Sequence, residues 1–468
     1  MLKFSIHIIA IMALSAMISC SKDFLNEKPS TDLVIPNSLS DLDLMLEDIN
    51  TTFSFSPEIG EFSADDYYLP SLASWQAFGD TKIRNCYVWN ADIYEGLTDI
   101  DDWNVPYKQI FSCNNIFKVL SNINITDENR NQWKGIKGSA HFLRAYAYFN
   151  LTQIFCLAYD STTAKENLGL PIKTDPDINK KVKRSNLFQT YNQIISDLQE
   201  AELNIFRDFN DKKPYRPTLL TVYSLFARVY LVMGNHEKAG LYANKVISLK
   251  NTLIKFSTLS KTARNPWPVL PQNINPEMIF YDRFVRNFYL SSSNSALIVD
   301  SNLIKLYEPN DLRKTIYFRS IGNNSLSLKA SYINTSYCFT GLALDEMYLI
   351  SAESSARAGD FHSAMKTLNI LLKSRWDVDA NGQSMYVDKN ASDSKEALSI
   401  IISERRKELA FRGIRWTDIK RLNIEGYQIT IKRILDNKEY SLQPNDKKYA
   451  LPIPKNEIDL GGIEQNER

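Results

Sequence analysis

The sequence predicts a mainly α fold: about four helix-turn-helix units of the tetratricopeptide kind, with long loop insertions folded against them. Three observations predict it. Ala227, Gly234 and Ala239 recur at the spacing of Ala352, Gly359 and Ala364, and Tyr223 and Tyr348 each stand four residues before the first alanine. Small residues at these offsets let one helix seat against the next, and the glycine ends the first helix of each pair. Helical apolar periodicity surrounds both copies and also runs from Trp103 to Ile154. It lapses between Ile254 and Ser336, where Pro266, Pro268, Pro271 and Pro276 cluster. Because the two copies lie 125 residues apart, the units are interrupted by insertions and do not form a tandem array.

Residues 1–19 read as a signal peptide. Lys3 precedes an apolar run from Ile8 to Ile18, eleven residues against the about 20 that a bilayer span needs. Met17-Ile-Ser-Cys20 matches a lipobox, in which the cysteine is acylated and becomes the new N-terminus; the alternative is a plain secretory signal with an incidental Cys20. Acyl chains buried at about 0.8 kcal/mol per methylene would hold the body to a membrane. Residues 20–40, polar and carrying Pro29 and Pro36, read as the tether.

Leu39 to Ile49 has the period of a short helix. Residues 51–85 carry no long repeat but place Tyr67, Tyr68, Trp75 and Phe78 among Asp, Ser and Gly. From Trp103 the helical pattern resumes, with expected breaks at Asn122–Thr126 and Asn129–Asn131. Gly138 to Phe149 has a small-residue side that would permit close helix approach. Asn179 to Arg184 is a basic run, expected to be solvated, with Ser185 as N-cap of the next helix. In the insertion, Met278-Ile-Phe-Tyr281 reads as a strand.

The densest stretch is Ser403 to Leu422. Glu404, Arg405, Arg406, Glu408, Arg412 and Arg415 alternate with Leu409, Phe411 and Trp416, so burying the apolar set encloses some arginine-carboxylate pairs. Gly413 supplies a positive φ at which one helix can stop and Ile414 to Leu422 can turn back.

Charge and motifs narrow the function. Lys and Arg number 55 against 54 Asp and Glu, a net charge of +1, which gives no field for nucleic acid. No HExxH, GxSxG, P-loop or GxGxxG motif occurs, and the expected protein is not an enzyme and needs no cofactor. Asp377 to Gly382 with Asp388 nearly meets a calcium-loop pattern, but Met385 stands at a ligand position and Asp-Asn-Gly also makes ordinary turns; no metal site is expected. Asp99, Asp101 and Asp102 are expected to be solvated. Cys86, Cys113, Cys156 and Cys338 follow no CxxC spacing and are expected as buried thiols.

Aromatic residues outside the repeats are the binding candidates: Tyr67, Tyr68, Trp75 and Phe78, with Trp267 and Tyr281 on the insertion. Sugar C–H faces stack on such rings, and Asp66, Gln76 and Arg264 offer groups for hydroxyls. The alternative is that these rings pin loops onto the helices.

Glu404 to Arg421 resembles the C-terminal signature of the SusD/RagB family of outer-membrane nutrient-uptake lipoproteins, Glu-Arg-Arg-x-Glu-Leu-Ala-Phe-x-Gly-x-Arg-Trp-x-Asp-x-Lys-Arg, with Arg412 where the family usually has Glu. Leu451-Pro-Ile-Pro-Lys-Asn-Glu-Ile-Asp-Leu460 resembles its second signature, and Gln465-Asn466-Glu467-Arg468 replaces the usual Asn-Pro-Gly-Tyr ending. Ser21-Lys22-Asp23 is similar to the export tag of surface lipoproteins in bacteria carrying the family. The resemblance implies a SusD-like fold, with 41–225 and 226–468 packed as one body, and an outer-membrane lipoprotein facing the exterior. It implies capture of oligosaccharides for a SusC-like TonB-dependent transporter. The alternatives are peptide uptake, as in some RagB-type relatives, and a glycoside hydrolase on a helical scaffold.

Overall fold

The computed structural model describes residues 36–468 apart from 209–212, 269–274, 286–288, 292–293, 330–331 and 334. The signal peptide, Cys20, most of the tether and Pro271 lie outside the described residues.

Among the described residues nine long helices build the scaffold: α1 (Asp101–Leu120), α2 (Arg130–Phe155), α3 (Leu187–Asn204), α4 (Leu219–Val232), α5 (His236–Leu249), α6 (Leu344–Arg357), α7 (Phe361–Lys373), α8 (Ser394–Glu408) and α9 (Arg415–Ile424). They stack in chain order, α1 on α2, α2 on α3, α4 on α5, α5 on α6 and α6 on both α7 and α8. In the two repeats the alanines are fully buried. Gly234 and Gly359 take φ of 73° and 90° after α4 and α6, a conformation that costs glycine nothing. The next side chain then caps the second helix: Asn235 accepts from the Lys238 amide, and Asp360 from that of Ser363. The small face of α2 works as its composition suggests, since a methyl group on Gly138 would stand 2.4 Å from the Ile205 backbone nitrogen.

Several local expectations shift. The predicted break at 129–131 is the start of α2, and α3 is capped by Asn186 rather than Ser185 because the Asn186 carboxamide accepts from the Gln189 amide. Helix α8 ends at Glu408, five residues before Gly413; Phe411 at φ 57° and Gly413 at φ 71° make the turn together. Asp102 is not solvated. Its carboxylate accepts from the Glu58 and Ile59 amides at 2.7 and 3.1 Å and from the Lys82 ammonium at 2.6 Å, tying the N-terminal segment to α1.

Among the described residues the strands form two-stranded pairings. Tyr67–Tyr68 pairs with Ile298–Val299, Phe55–Ser56 with Arg283–Phe284, Met278–Phe280 with Leu342–Ala343, and Ile431–Leu435 with Lys438–Leu442. Most of these join segments more than 200 residues apart or link the insertion to the helices, so the loops carry their own part of one continuous apolar core from Leu39 to Ile463. Cys86, Cys113, Cys156 and Cys338 are buried free thiols.

The charged stretch is enclosed, as its composition requires. Arg405 bonds Asp418 at 2.8 Å and Glu346 at 3.2 Å; Arg228 reaches the same Glu346, and Arg421 joins Asp418 to Glu353. This chain of shared carboxylates locks α4, α6, α8 and α9 in register. Arg412 bonds Asp345 at 3.0 Å and lies over the Tyr332 and Phe339 rings. The C-terminus docks despite its altered sequence: Gln465 brackets the Ile453 amide and carbonyl, and the Asn466 carboxamide donates to the Phe155 and Leu451 carbonyls.

Lys420 differs from its neighbours in having no carboxylate partner among the described residues. Its ammonium donates to the Gln153 and Cys156 carbonyls at 2.7 and 2.6 Å, at the C-terminal end of α2. Those carbonyls favour the charge, but burial outweighs them and pushes the amine down to about 7 from 10.5. Between those values the unfolded chain holds a proton that the folded one has released. Stability from this group should therefore rise with pH from about 7 to about 10.5. Urea midpoints at pH 7 and pH 10 should climb in the wild type relative to Lys420→Met. Equal pH slopes in the two proteins would contradict this.

Candidate ligand-binding surface

Segment 70–89 is shaped by two short helices with side-chain caps. Ser71 accepts from the Ser74 amide at the start of Leu72–Gln76, and Asp80 from the Lys82 amide at the start of Thr81–Tyr87. Trp75 is half-buried, and its indole N–H donates to the Arg84 carbonyl at 2.9 Å, which fixes one edge of the ring. The Arg84 guanidinium lies 5.9 Å from the Trp75 ring centre and donates to the Phe78 carbonyl and, at 3.0 Å, to the Thr81 hydroxyl. Tyr289 closes the arrangement from the insertion: its ring centre is 4.6 Å from that of Phe78, and its hydroxyl accepts from the Gly79 amide at 3.0 Å.

A second group adjoins it. The Cys338 thiol donates to the Leu290 carbonyl, the residue after Tyr289, and Tyr337 precedes that cysteine. The Arg283 guanidinium sits between Tyr337 and Phe55, 4.2 and 4.6 Å from their ring centres. Half-buried Tyr281 lies beside Arg283 and Tyr337. The Leu290–Cys338 contact sets this group beside the first, and Trp75, Tyr289 and Tyr337, the last 37% exposed, are grouped as one candidate band. Rings pinned by backbone bonds lose little freedom on binding, so the band is suited to stacking against C–H faces, with Arg84, Arg283 and the exposed Gln76 for polar contacts.

The other sequence candidates do not join this surface. Trp267 is 2% exposed and packs on Phe256, Tyr317 and Tyr332 in the core. Tyr67 is 1% exposed, and its hydroxyl donates to the Phe62 carbonyl. Phe78 is buried and acts as support for Tyr289. Asp66 is fully buried, accepts from the Phe411 amide, and has its carboxyl pushed up to about 6 by burial. These four are structural because long loops need an apolar and polar interior of their own. Tyr68 is half-buried in its strand pairing with Ile298. Arg264 is exposed, and among the described residues no hydrogen bond or ring contact joins it to the band. Arg84, Arg283, Tyr289 and Tyr337 join the candidates only in the folded chain; the composition of the insertion hinted at Arg283 and Tyr289, and nothing pointed to Arg84 or Tyr337.

The calcium-like stretch is a turn. Asp379 accepts from the Asn381 and Gln383 amides, while Asp377 is bonded by Lys261. Among the described residues no group of three or more His, Cys, Asp or Glu could hold a metal ion. None of their helices is long and apolar enough to cross a membrane.

A family model described as "starch-binding associating with outer membrane" matches residues 23–231, and the SusD family model matches residues 328–467. The chain belongs to the SusD/RagB family. Two SusD-like proteins of Formosa agariphila are similar to it, one 23% identical over 78% of this chain and 79% of its own, the other 22% identical over 76% and 77%. A putative sugar binding protein from Bacteroides vulgatus has the same fold at a TM-score of 0.73 and 23% identity, covering 93% of this chain and 99% of its own. A laminarin binding SusD-like protein aligns at a TM-score of 0.60 and 17% identity over 92% and 98%. In this SusD/RagB member the family's helical scaffold carries the Trp75 to Tyr337 band on its insertions.

Proposed function

We propose that this SusD-like protein is a cell-surface lipoprotein, anchored through an acylated Cys20, that captures an oligosaccharide on the band and delivers it to a SusC-like TonB-dependent transporter. The observation that carries the reading is the band itself: the Trp75 and Tyr289 rings, from segments joined across 210 residues at Gly79 and Tyr289, are held by backbone hydrogen bonds, with guanidinium groups beside the band. That arrangement suits sugar rings, whose C–H faces stack while their hydroxyls take charged and polar partners. The family model's starch-binding description and the laminarin-binding relative support a glycan as the ligand class. Capture needs no covalent step, and delivery would be a movement of the whole body on its tether.

Calorimetry with a panel of defined oligosaccharides tests the reading. Trp75→Ala should weaken binding of the glycan recognised by about tenfold or more while the melting temperature stays within a degree or two of wild type, because the ring lies at the surface of a short helix. Unchanged affinity would remove Trp75 from the site. Release of new reducing ends by the purified protein would replace the reading with the hydrolase alternative, and heat with peptides alone would replace it with peptide uptake.

A further inference from the structure

A groove outside the band runs along α1. Two cavities of about 320 and 520 Å³ run into each other there, sharing Asn104, Lys173, Ile178 and Glu457 on their walls. The volumes fall within the range of small-ligand sites. One wall is the outer face of α1, where Tyr107 and Phe111 stand one turn apart and Phe111 is 40% exposed. From Trp103 to Phe111 the helix rises about 12 Å, longer than one pyranose ring.

The facing wall is held in place by the core. The Lys173 carbonyl accepts from the Asn114 carboxamide at 3.0 Å and the Tyr148 hydroxyl at 2.9 Å, and the Tyr107 hydroxyl donates to the Pro171 carbonyl at 3.1 Å. At the far end, the Asn456 carboxamide donates to the Thr98 carbonyl at 2.9 Å. The groove is thus shaped before any ligand arrives, which lowers the ordering cost of binding.

Its charges divide into spent and unspent. Lys180 is paired with Asp175 at 3.3 Å, and the Lys108 ammonium donates to the Thr51 carbonyl. Among the described residues no hydrogen bond or ion pair engages the Glu457 carboxylate or the Lys181 ammonium, and the Lys173 ammonium lies 5.5 Å from the Tyr107 ring centre. Four lysines face three carboxylates, so no surplus field draws an anionic chain. An aromatic wall with an unpaired carboxylate and ammonium groups is the chemistry that binds uncharged hydroxylated rings.

We propose that this groove is a second oligosaccharide-binding site, taking a short neutral glycan independently of the Trp75 band. It shares the ligand class of the proposed function but rests on different residues. The test is calorimetry of the mature chain with maltoheptaose, laminarihexaose, cellohexaose and mannohexaose, with a neutral hexapeptide as the comparison ligand. Wild type, Trp75→Ala, the double variant Phe111→Ala with Glu457→Gln, and the triple variant combining all three changes are titrated, and melting temperatures report folding. At least one glycan should still bind Trp75→Ala, and adding the groove changes should weaken that residual binding by about tenfold. If Trp75→Ala removes all binding, the groove proposal falls and the main reading stands. If only the groove variant loses binding, the groove stands and the band falls. Residual binding untouched by the groove changes, no glycan bound by any form, or a groove that takes only the peptide would each overturn the proposal.

Discussion

Replacing Arg313 with alanine should lower the folding stability by about 3–5 kcal/mol, the usual cost of breaking a buried ion pair from one side. Arg313 is fully buried, and all three of its guanidinium nitrogens are engaged. Nε and Nη2 bond Asp311 at 2.9 and 2.6 Å, Nη2 also bonds Glu404 at 2.6 Å, and Nη1 bonds Glu408 at 3.1 Å. The same carboxylates serve two further cations. Arg375 takes Glu408 at 2.7 Å and Glu277 at 2.8 Å, and Lys407 takes Asp311 at 3.2 Å and Glu404 at 2.7 Å. In the wild type three buried cations, with the part-exposed Lys389 ammonium 3.8 Å from Glu404 as a fourth, face four buried carboxylates; in the variant only two of the buried cations would remain. The loss therefore comes from the stranded carboxylates more than from the missing contact, and methionine, which fills more of the space, should recover little. Adding Asp311→Asn to Arg313→Met should recover more, because it removes one stranded charge. Urea unfolding of the four proteins measures this, and equal midpoints for wild type and Arg313→Ala would contradict it.

This network also shows what was readable in the sequence and what was not. The run from Glu404 to Arg415 alternates charge with Leu409, Phe411 and Trp416, so local composition alone required enclosed ion pairs, and the structure encloses them. The repeats were legible for a similar reason: Ala227 and Ala352 meet their neighbouring helices within one unit, and Gly234 and Gly359 mark positive φ locally. Partners at long range were not legible. Nothing near Glu404 announces Arg313, and nothing near Gly79 announces Tyr289, 210 residues away. The burial of Trp267, Tyr67 and Phe78 was illegible for the same reason, since the packing role of a ring outside the helical repeat depends on distant segments. Trp267 meets Phe256, Tyr317 and Tyr332, three rings from separate parts of the insertion that only the folded chain brings together. Trp75 differs because its partner, Arg84, is local, and its short helix lies at the surface.

Tyr67 leads to the second large effect, Arg433→Ala, which should cost about 3–5 kcal/mol, the sum of two lost charge-assisted bonds and desolvated ring contacts. Arg433 is buried on the hairpin Ile431–Leu435 and Lys438–Leu442. Its guanidinium donates to the Ala64 and Tyr67 carbonyls and lies 5.1, 4.2 and 5.6 Å from the ring centres of Tyr67, Tyr87 and Trp89. The Tyr87 hydroxyl in turn accepts from the Leu69 amide at 2.9 Å, so the cation, the rings and the backbone of 64–69 form one unit. Alanine would leave two buried carbonyls without donors and open a space between three rings. Lysine should recover only part of the loss, because a single ammonium cannot serve both carbonyls in a plane and stack on the rings as well. Because Thr81–Tyr87 leads into this box and also carries Arg84, the damage should spread to the Trp75 edge. Arg433→Ala should therefore weaken glycan binding as well as lower the melting temperature, whereas Trp75→Ala should affect binding alone. A melting temperature within a degree of wild type for Arg433→Ala would show that the hairpin is not what holds segment 64–89 in place.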